Sequence, residues 1–115
     1  MRILVVDDRP DVRLSLLYML EASGFDVAEA EDGTQALGLI EQQRIEVVLT
    51  DLAMPGMDGR ALTRELVAQR HRPRVIVMSG SEHLGPKEAL SLGADAIINK
   101  PFTREELVQA IRASY

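Results

Sequence analysis

A chain of 115 residues with 46% hydrophobic and 3% aromatic residues can bury one aliphatic core and is too short for two domains. It contains no cysteine, which excludes disulfides and thiolate metal sites and fits a reducing, cytoplasmic setting. The formal net charge of -5 argues against direct nucleic-acid binding, and no apolar stretch approaches the length of a membrane span.

The first predicted strand, Ile3-Leu4-Val5-Val6, follows directly on Met1-Arg2, so that no signal peptide is expected, and ends in Asp7-Asp8. Pro10 suits the first turn of a helix whose Val12, Leu16, Met19 and Leu20 share one face, and Gly24 is placed to stop it. Phe25 to Ala30 alternates only weakly, as an edge strand does. Asp32 is the expected cap of a second helix, with Gln35 reaching back to it and Leu37 and Ile40 facing inward. Val47-Val48-Leu49-Thr50 reads as the third strand and ends in Asp51. A third helix follows Asp58-Gly59 and buries Leu62 and Leu66. The basic cluster Arg70-His71-Arg72-Pro73-Arg74 reads as a solvated loop. The fourth strand, Val75-Ile76-Val77-Met78, ends in Ser79. A short fourth helix is expected from about Pro86 to Gly93, with Ala89 and Leu90 inward. His71 and His83 read as solvated loop residues, and the methionines as core filler. The fifth strand, Ala96-Ile97-Ile98-Asn99, runs into Lys100-Pro101. The fifth helix has Thr103 as cap, Glu106 completing a capping box, Phe102 stapled onto Leu107, and Leu107, Ala110 and Ile111 as its core stripe.

Five strands alternating with five helices predict an α/β fold with a doubly wound parallel sheet, flavodoxin-like, with helices in layers on both faces. The amphipathic second strand belongs at an edge and the most apolar strands inside, which the order 2-1-3-4-5 satisfies. One domain is expected over residues 1–115.

Ligands of such sheets bind beyond the carboxyl ends of the strands, at the switch point between strands one and three. Asp7, Asp8 and Asp51 stand at those ends, with Ser79 and Lys100 at the ends of the next two. Three carboxylates together should raise at least one pKa, and a hard divalent cation would relieve the repulsion. Mg2+ fits, with Asp8 and Asp51 able to bind directly, Asp7 through water, and a main-chain carbonyl after the third strand completing the set. Lys100 and Ser79 could then neutralise and hydrogen-bond a phosphoryl group, and Asp51 could be the nucleophile of an aspartyl phosphate. Each residue alone also has an ordinary reading: Asp7 and Asp8 as helix-capping acids, Asp51 in a loop, Ser79 in a turn, Lys100 on the surface.

With these residues in place, the whole chain resembles the receiver domain of bacterial two-component response regulators. The resemblance is carried by Ile3-Leu4-Val5-Val6-Asp7-Asp8, by Asp51-Leu52-Ala53-Met54-Pro55-Gly56-Met57-Asp58-Gly59, and by Ser79-Gly80, Gly93-Ala94-Asp95 and Lys100-Pro101-Phe102. It implies that Asp51 is the phosphoacceptor, that Asp7, Asp8, Asp51 and the Ala53 carbonyl hold Mg2+, and that Ser79 and Lys100 contact the phosphoryl group. It implies a sensor histidine kinase or a phosphotransfer protein as donor. It further implies an output domain or downstream protein acted on through the fourth helix, fifth strand and fifth helix, and a homodimer formed on phosphorylation. By the same resemblance the peptide bond before Pro101 is cis, and catalysis extends only to the domain's own phosphorylation and dephosphorylation. The family often places Tyr or Phe three residues before the lysine, as a ring that turns inward on activation, and here that position is Ile97.

The main alternative is an interaction module whose acidic site goes unphosphorylated. A flavin protein of the same topology would want a Ser/Thr/Gly phosphate loop where this chain has Asp7-Asp8-Arg9-Pro10. A phosphatase with an aspartyl nucleophile would often carry an acid two residues later, where Ala53 stands.

Overall fold

Residues on successive positions of three strands point into two separate cores, and that alternation organises the molecule. The computed structural model describes residues 1–52, 58–80 and 90–114. In chain order these form β1 (Arg2–Val6), α1 (Pro10–Ala22), β2 (Asp26–Ala30), α2 (Gly33–Gln42), β3 (Val47–Asp51), α3 (Gly59–Val67), β4 (Arg74–Ser79), β5 (Ala96–Asn99) and a C-terminal helix (Arg104–Ala113). The five strands pair in parallel in the order β2-β1-β3-β4-β5, the order expected from the sequence.

Leu4, Val6, Val48, Val75 and Val77 face one core, closed by Ala36 of α2 and by Leu62 and Leu66 of α3. Ile3, Val5, Val47, Leu49, Ile76 and Met78 face the other, closed by Leu16 and Leu20 of α1 and by Leu107 and Ile111 of the C-terminal helix. A strand covered on both faces needs apolar residues at every position, which is why β1, β3 and β4 lack alternation. The edge strand β2 keeps Asp26 and Glu29 exposed.

Several local expectations are met. Pro10 opens α1, and Gly24 follows its end with φ +90. Thr103 and Glu106 form a complete capping box, and Phe102 packs with Leu107 in the same core. The Lys100–Pro101 peptide bond is cis. Others are corrected. Asp32 caps α2 by accepting from Gln35 N (2.8 Å), but the Gln35 side chain accepts from Glu31 N (2.7 Å), one residue before the cap. With Asp32 extended, the preceding N–H is the one within reach. Leu37 and Ile40 pack against the core as expected but stay partly exposed, and the fully enclosed side chain of α2 is that of Ala36. Its small side chain lets the helix approach the sheet, and the larger residues flank the contact.

Leu90, expected inward, is 57% exposed. Two adjacent residues of a helix point about 100° apart, so a stretch this short cannot fix the phase of its buried face. Pro86, Lys87, Ala89 and His83 lie outside the described residues. The basic segment before β4 is not simply solvated. Arg72 makes a two-pronged contact with Asp95 (2.7 and 3.1 Å), and Val75 N donates to the same carboxylate (2.8 Å). Burial would push the Asp95 carboxyl up, but the Arg72 fork, the Val75 N–H and the charges of Arg72 and Arg74 together hold it below its ordinary value.

Candidate functional site

The carboxyl ends of β1 and β3, adjacent in the sheet, carry the acids. Asp7 follows β1 directly and is completely buried. Asp7 N donates to Ala30 O of β2 (3.1 Å), which continues the β1–β2 ladder by one residue. Asp7 Oδ1 accepts from Arg9 N (3.0 Å), so this carboxylate organises the turn into α1. Asp8, one residue on, is exposed. Asp51 ends β3, half-buried, and its Oδ1 accepts from Leu52 N (2.9 Å). Each of Asp7, Asp8 and Asp51 offers one carboxylate oxygen to a cluster within 4.8 Å.

Asp7 Oδ2 is buried and has no hydrogen-bond partner. It stands 3.9 Å from Lys100 Nζ, which lies closer to Asp51 Oδ2, at 3.6 Å. Lys100 therefore enters the acid pocket from the far side of the sheet, beyond β5. Lys100 N donates to Ser79 O (2.8 Å), extending the β4–β5 ladder and placing the two side chains at neighbouring strand ends. Ser79 is buried at the end of β4, and its Oγ donates to Gly80 O (3.4 Å).

Burial pushes the Asp7 carboxyl above its ordinary value. The Arg9 N–H opposes that, Asp51 adds to it, Lys100 opposes it, and Asp8 adds a little more. The repulsion expected from the sequence is present, but desolvation leads. A buried, orphaned carboxylate oxygen facing two further carboxylates suits an oxygen-seeking divalent cation, which would relieve both the desolvation and the repulsion. The donor set is all oxygen, the chemistry of Mg2+ rather than of zinc or copper.

The helix α3 is seated against this site. Asp58 caps it, with Oδ1 accepting from Arg60 N (3.0 Å) and Ala61 N (3.1 Å). Gly59 N donates to Leu52 O (2.9 Å), bringing the helix start onto the end of β3. A Cβ at Gly59 would run into the Asp51 carbonyl oxygen and stand 2.8 Å from Leu52 Cα. Only glycine permits that approach.

The structure thus brings Asp7, Asp8, Asp51, Ser79 and Lys100 to one edge, while Ala53 lies outside the described residues. Arg13 was missed in the sequence. It sits on α1 between Val12 and Leu16, and its guanidinium folds back onto the loop that carries Asp7 and Asp8. Its place beside the buried stripe of α1, six residues after the acid, is the signal that could have singled it out. Ile97 is half-buried against the core under α2 and α3.

The chain matches the response regulator receiver domain family over residues 3–112. It is 40% identical over 112 residues to the DNA-binding response regulator MtrA of Mycolicibacterium smegmatis, and 41% to that of Mycobacterium leprae. The alignments cover 97% of this chain and 49% and 50% of those proteins, so the chain spans about half the length of the curated relatives it matches. A solved receiver domain of a Pseudomonas aeruginosa sensor histidine kinase, with a magnesium ion coordinated in its active-site cleft, superposes with a TM-score of 0.88 at 33% identity. That match covers 97% of this chain and 94% of the other. The chemotaxis response regulator CheY4 of Vibrio cholerae superposes with a TM-score of 0.86 at 26% identity, covering 99% and 98%. By sequence and by fold, this chain belongs to the response regulator receiver domain family.

Proposed function

We propose that this chain is a single receiver domain over residues 1–115 that accepts a phosphoryl group on Asp51 in a Mg2+-dependent reaction with a phosphohistidine of a sensor kinase or phosphotransfer protein. The observation that carries this reading is the buried, unpartnered Asp7 Oδ2 beside Asp8 and Asp51, with Lys100 opposite. Asp7, Asp8 and Asp51 would hold Mg2+, with the Ala53 carbonyl as a further ligand. Bound there, the ion supplies charge neutralisation to the transferring phosphoryl oxygens.

The chain's own residues do the rest. A carboxylate oxygen of Asp51 forms the new P–O bond as the P–N bond to histidine breaks, and the imidazole nitrogen keeps that electron pair. The Leu52 N–H holds the Asp51 carboxylate in one orientation. Lys100 already pairs with Asp51 and can follow the added charge outward. The Ser79 hydroxyl can turn toward a phosphoryl oxygen. Both sit at strand ends tied by the Lys100 N–H to Ser79 O hydrogen bond. New contacts here favour one arrangement of the loops after β4 and β5, the differential interaction a population shift requires. The output is a partner or attached domain reading the surface of β5, the C-terminal helix and the helix expected from the sequence before β5. Among the described residues, no helix is long and apolar enough to cross a membrane.

Intact-mass measurement after incubation with acetyl phosphate and Mg2+ should show one phosphoryl addition, absent in Asp51→Asn. Equal labelling without divalent metal would overturn the mechanism. An unlabelled wild type would leave only an interaction module.

A further inference from the structure

Asp8 is the exposed member of the acid cluster, and what aims it is the peptide plane it shares with Asp7. Arg13 Nη1 donates to the Asp7 carbonyl oxygen at 2.7 Å, a short, charge-assisted bond to that plane. The same guanidinium, through Nε, pairs with Glu29 Oε1 at 3.0 Å on the edge strand β2. The Arg13 side chain is only 15% exposed. Its backbone N–H is bonded to Arg9 O inside the turn that Asp7 Oδ1 organises.

We propose that Arg13 is a positioning residue of the acidic site: bridging the Asp7 carbonyl to Glu29, it fixes the Asp7–Asp8 peptide plane against β2 and so sets where the Asp8 carboxylate points. The proposal rests on the Mg2+-dependent reading above. It assigns Arg13 and Glu29, neither of them a metal ligand, to tuning Mg2+ affinity. Partners that hold ligands in place often change metal affinity by roughly tenfold or more when removed. The planar guanidinium suits the task, because its donors have fixed directions and can hold a carbonyl and a carboxylate at once. An ammonium is a point charge without that fork.

The sign of the effect separates positioning from simple electrostatics. Arg13 is a cation beside three acids, so charge alone predicts that removing it tightens Mg2+ binding. Positioning predicts that Arg13→Ala weakens it, by roughly tenfold. Arg13→Lys keeps the charge, loses the fork and should also weaken binding. Glu29→Gln, which leaves α1 untouched, should weaken it less.

The measurement is a Mg2+ titration followed by amide chemical shifts, paired with hydrogen exchange of the Asp7 and Arg9 amides in metal-free protein. Positioning predicts faster exchange at these two amides in Arg13→Ala and Arg13→Lys, with amides of β3 and β4 unchanged. Mg2+ affinity equal to or tighter than wild type in both Arg13 variants, with unaltered exchange, would overturn the proposal. A wild type whose acidic site ignores Mg2+ would sink the metal reading instead, and the metal-free exchange would still decide the role of Arg13. Should Arg13→Ala fail to fold, Arg13→Lys and Glu29→Gln carry the test.

Discussion

Asp7 concentrates the site's electrostatics in one residue. Its carboxyl is raised first by burial, so protonation is easier in the folded state than in the unfolded one. A group raised in this way contributes stability in full below its unfolded pKa and loses it as pH rises through the folded value. Metal-free protein should therefore lose the Asp7 contribution as Asp7 ionises. Asp95 has the opposite sign. Its carboxyl is lowered, so its contribution is present above its unfolded pKa and fades as pH falls through the folded value. Comparing wild type with Asp7→Asn isolates the first effect. Without metal near neutral pH, the variant should be more stable by roughly 1 kcal/mol, since it no longer buries a carboxylate with an unbonded oxygen facing two further carboxylates. The gain should shrink as pH falls from neutral and the wild-type carboxyl takes up its proton. Denaturant midpoints across that range check it, and parallel pH profiles for the two proteins would contradict it.

Among the elements, α3 is the most tightly tied to the site. Its N-terminus rests on the end of β3 through the Gly59 N–H to Leu52 O bond, and the absence of a side chain at Gly59 allows that approach. The obstacle to a Cβ is backbone at Asp51 and Leu52, not the flexible end of a side chain, so the neighbour cannot yield cheaply. Gly59→Ala should destabilise the protein by about 2–3 kcal/mol, in the range of overpacked sites. Because the displaced atoms belong to Asp51, it should also slow phosphoryl uptake from acetyl phosphate more than a substitution of equal thermal cost elsewhere. Denaturant unfolding and intact-mass time courses, compared with Thr103→Ala at the capping box of the C-terminal helix, measure the two effects. The Thr103 variant should lose about 1 kcal/mol with uptake unchanged.

For the whole molecule, the relevant balance is between stability and an acid-lined edge. The three acids share a site in which Lys100 pairs with two of them, Asp7 and Asp51. A ligand that binds only the folded state stabilises it by mass action, about 2.7 kcal/mol at a hundredfold excess over its Kd. Mg2+ should accordingly raise the unfolding midpoint, and Asp8→Asn, at an exposed position, should fold normally and lose most of that rise. Thermal unfolding with and without Mg2+ tests this. An equal rise in Asp8→Asn would place the ion elsewhere.

The sequence by itself determined the strand order, the caps at Asp32 and Thr103, and the convergence of Asp7, Asp8, Asp51, Ser79 and Lys100. Those features follow from local hydrogen bonding and from apolar runs ending in polar residues, both written in consecutive positions. Only the tertiary structure decided the rest. The Arg72–Asp95 fork joins residues 23 apart, and the Arg13–Glu29 bridge crosses from helix to edge strand. Leu90 turned outward because a short stretch leaves its phase open. Burial, rather than neighbouring charge, became the leading influence on Asp7 because the depth of a strand end depends on everything packed around it.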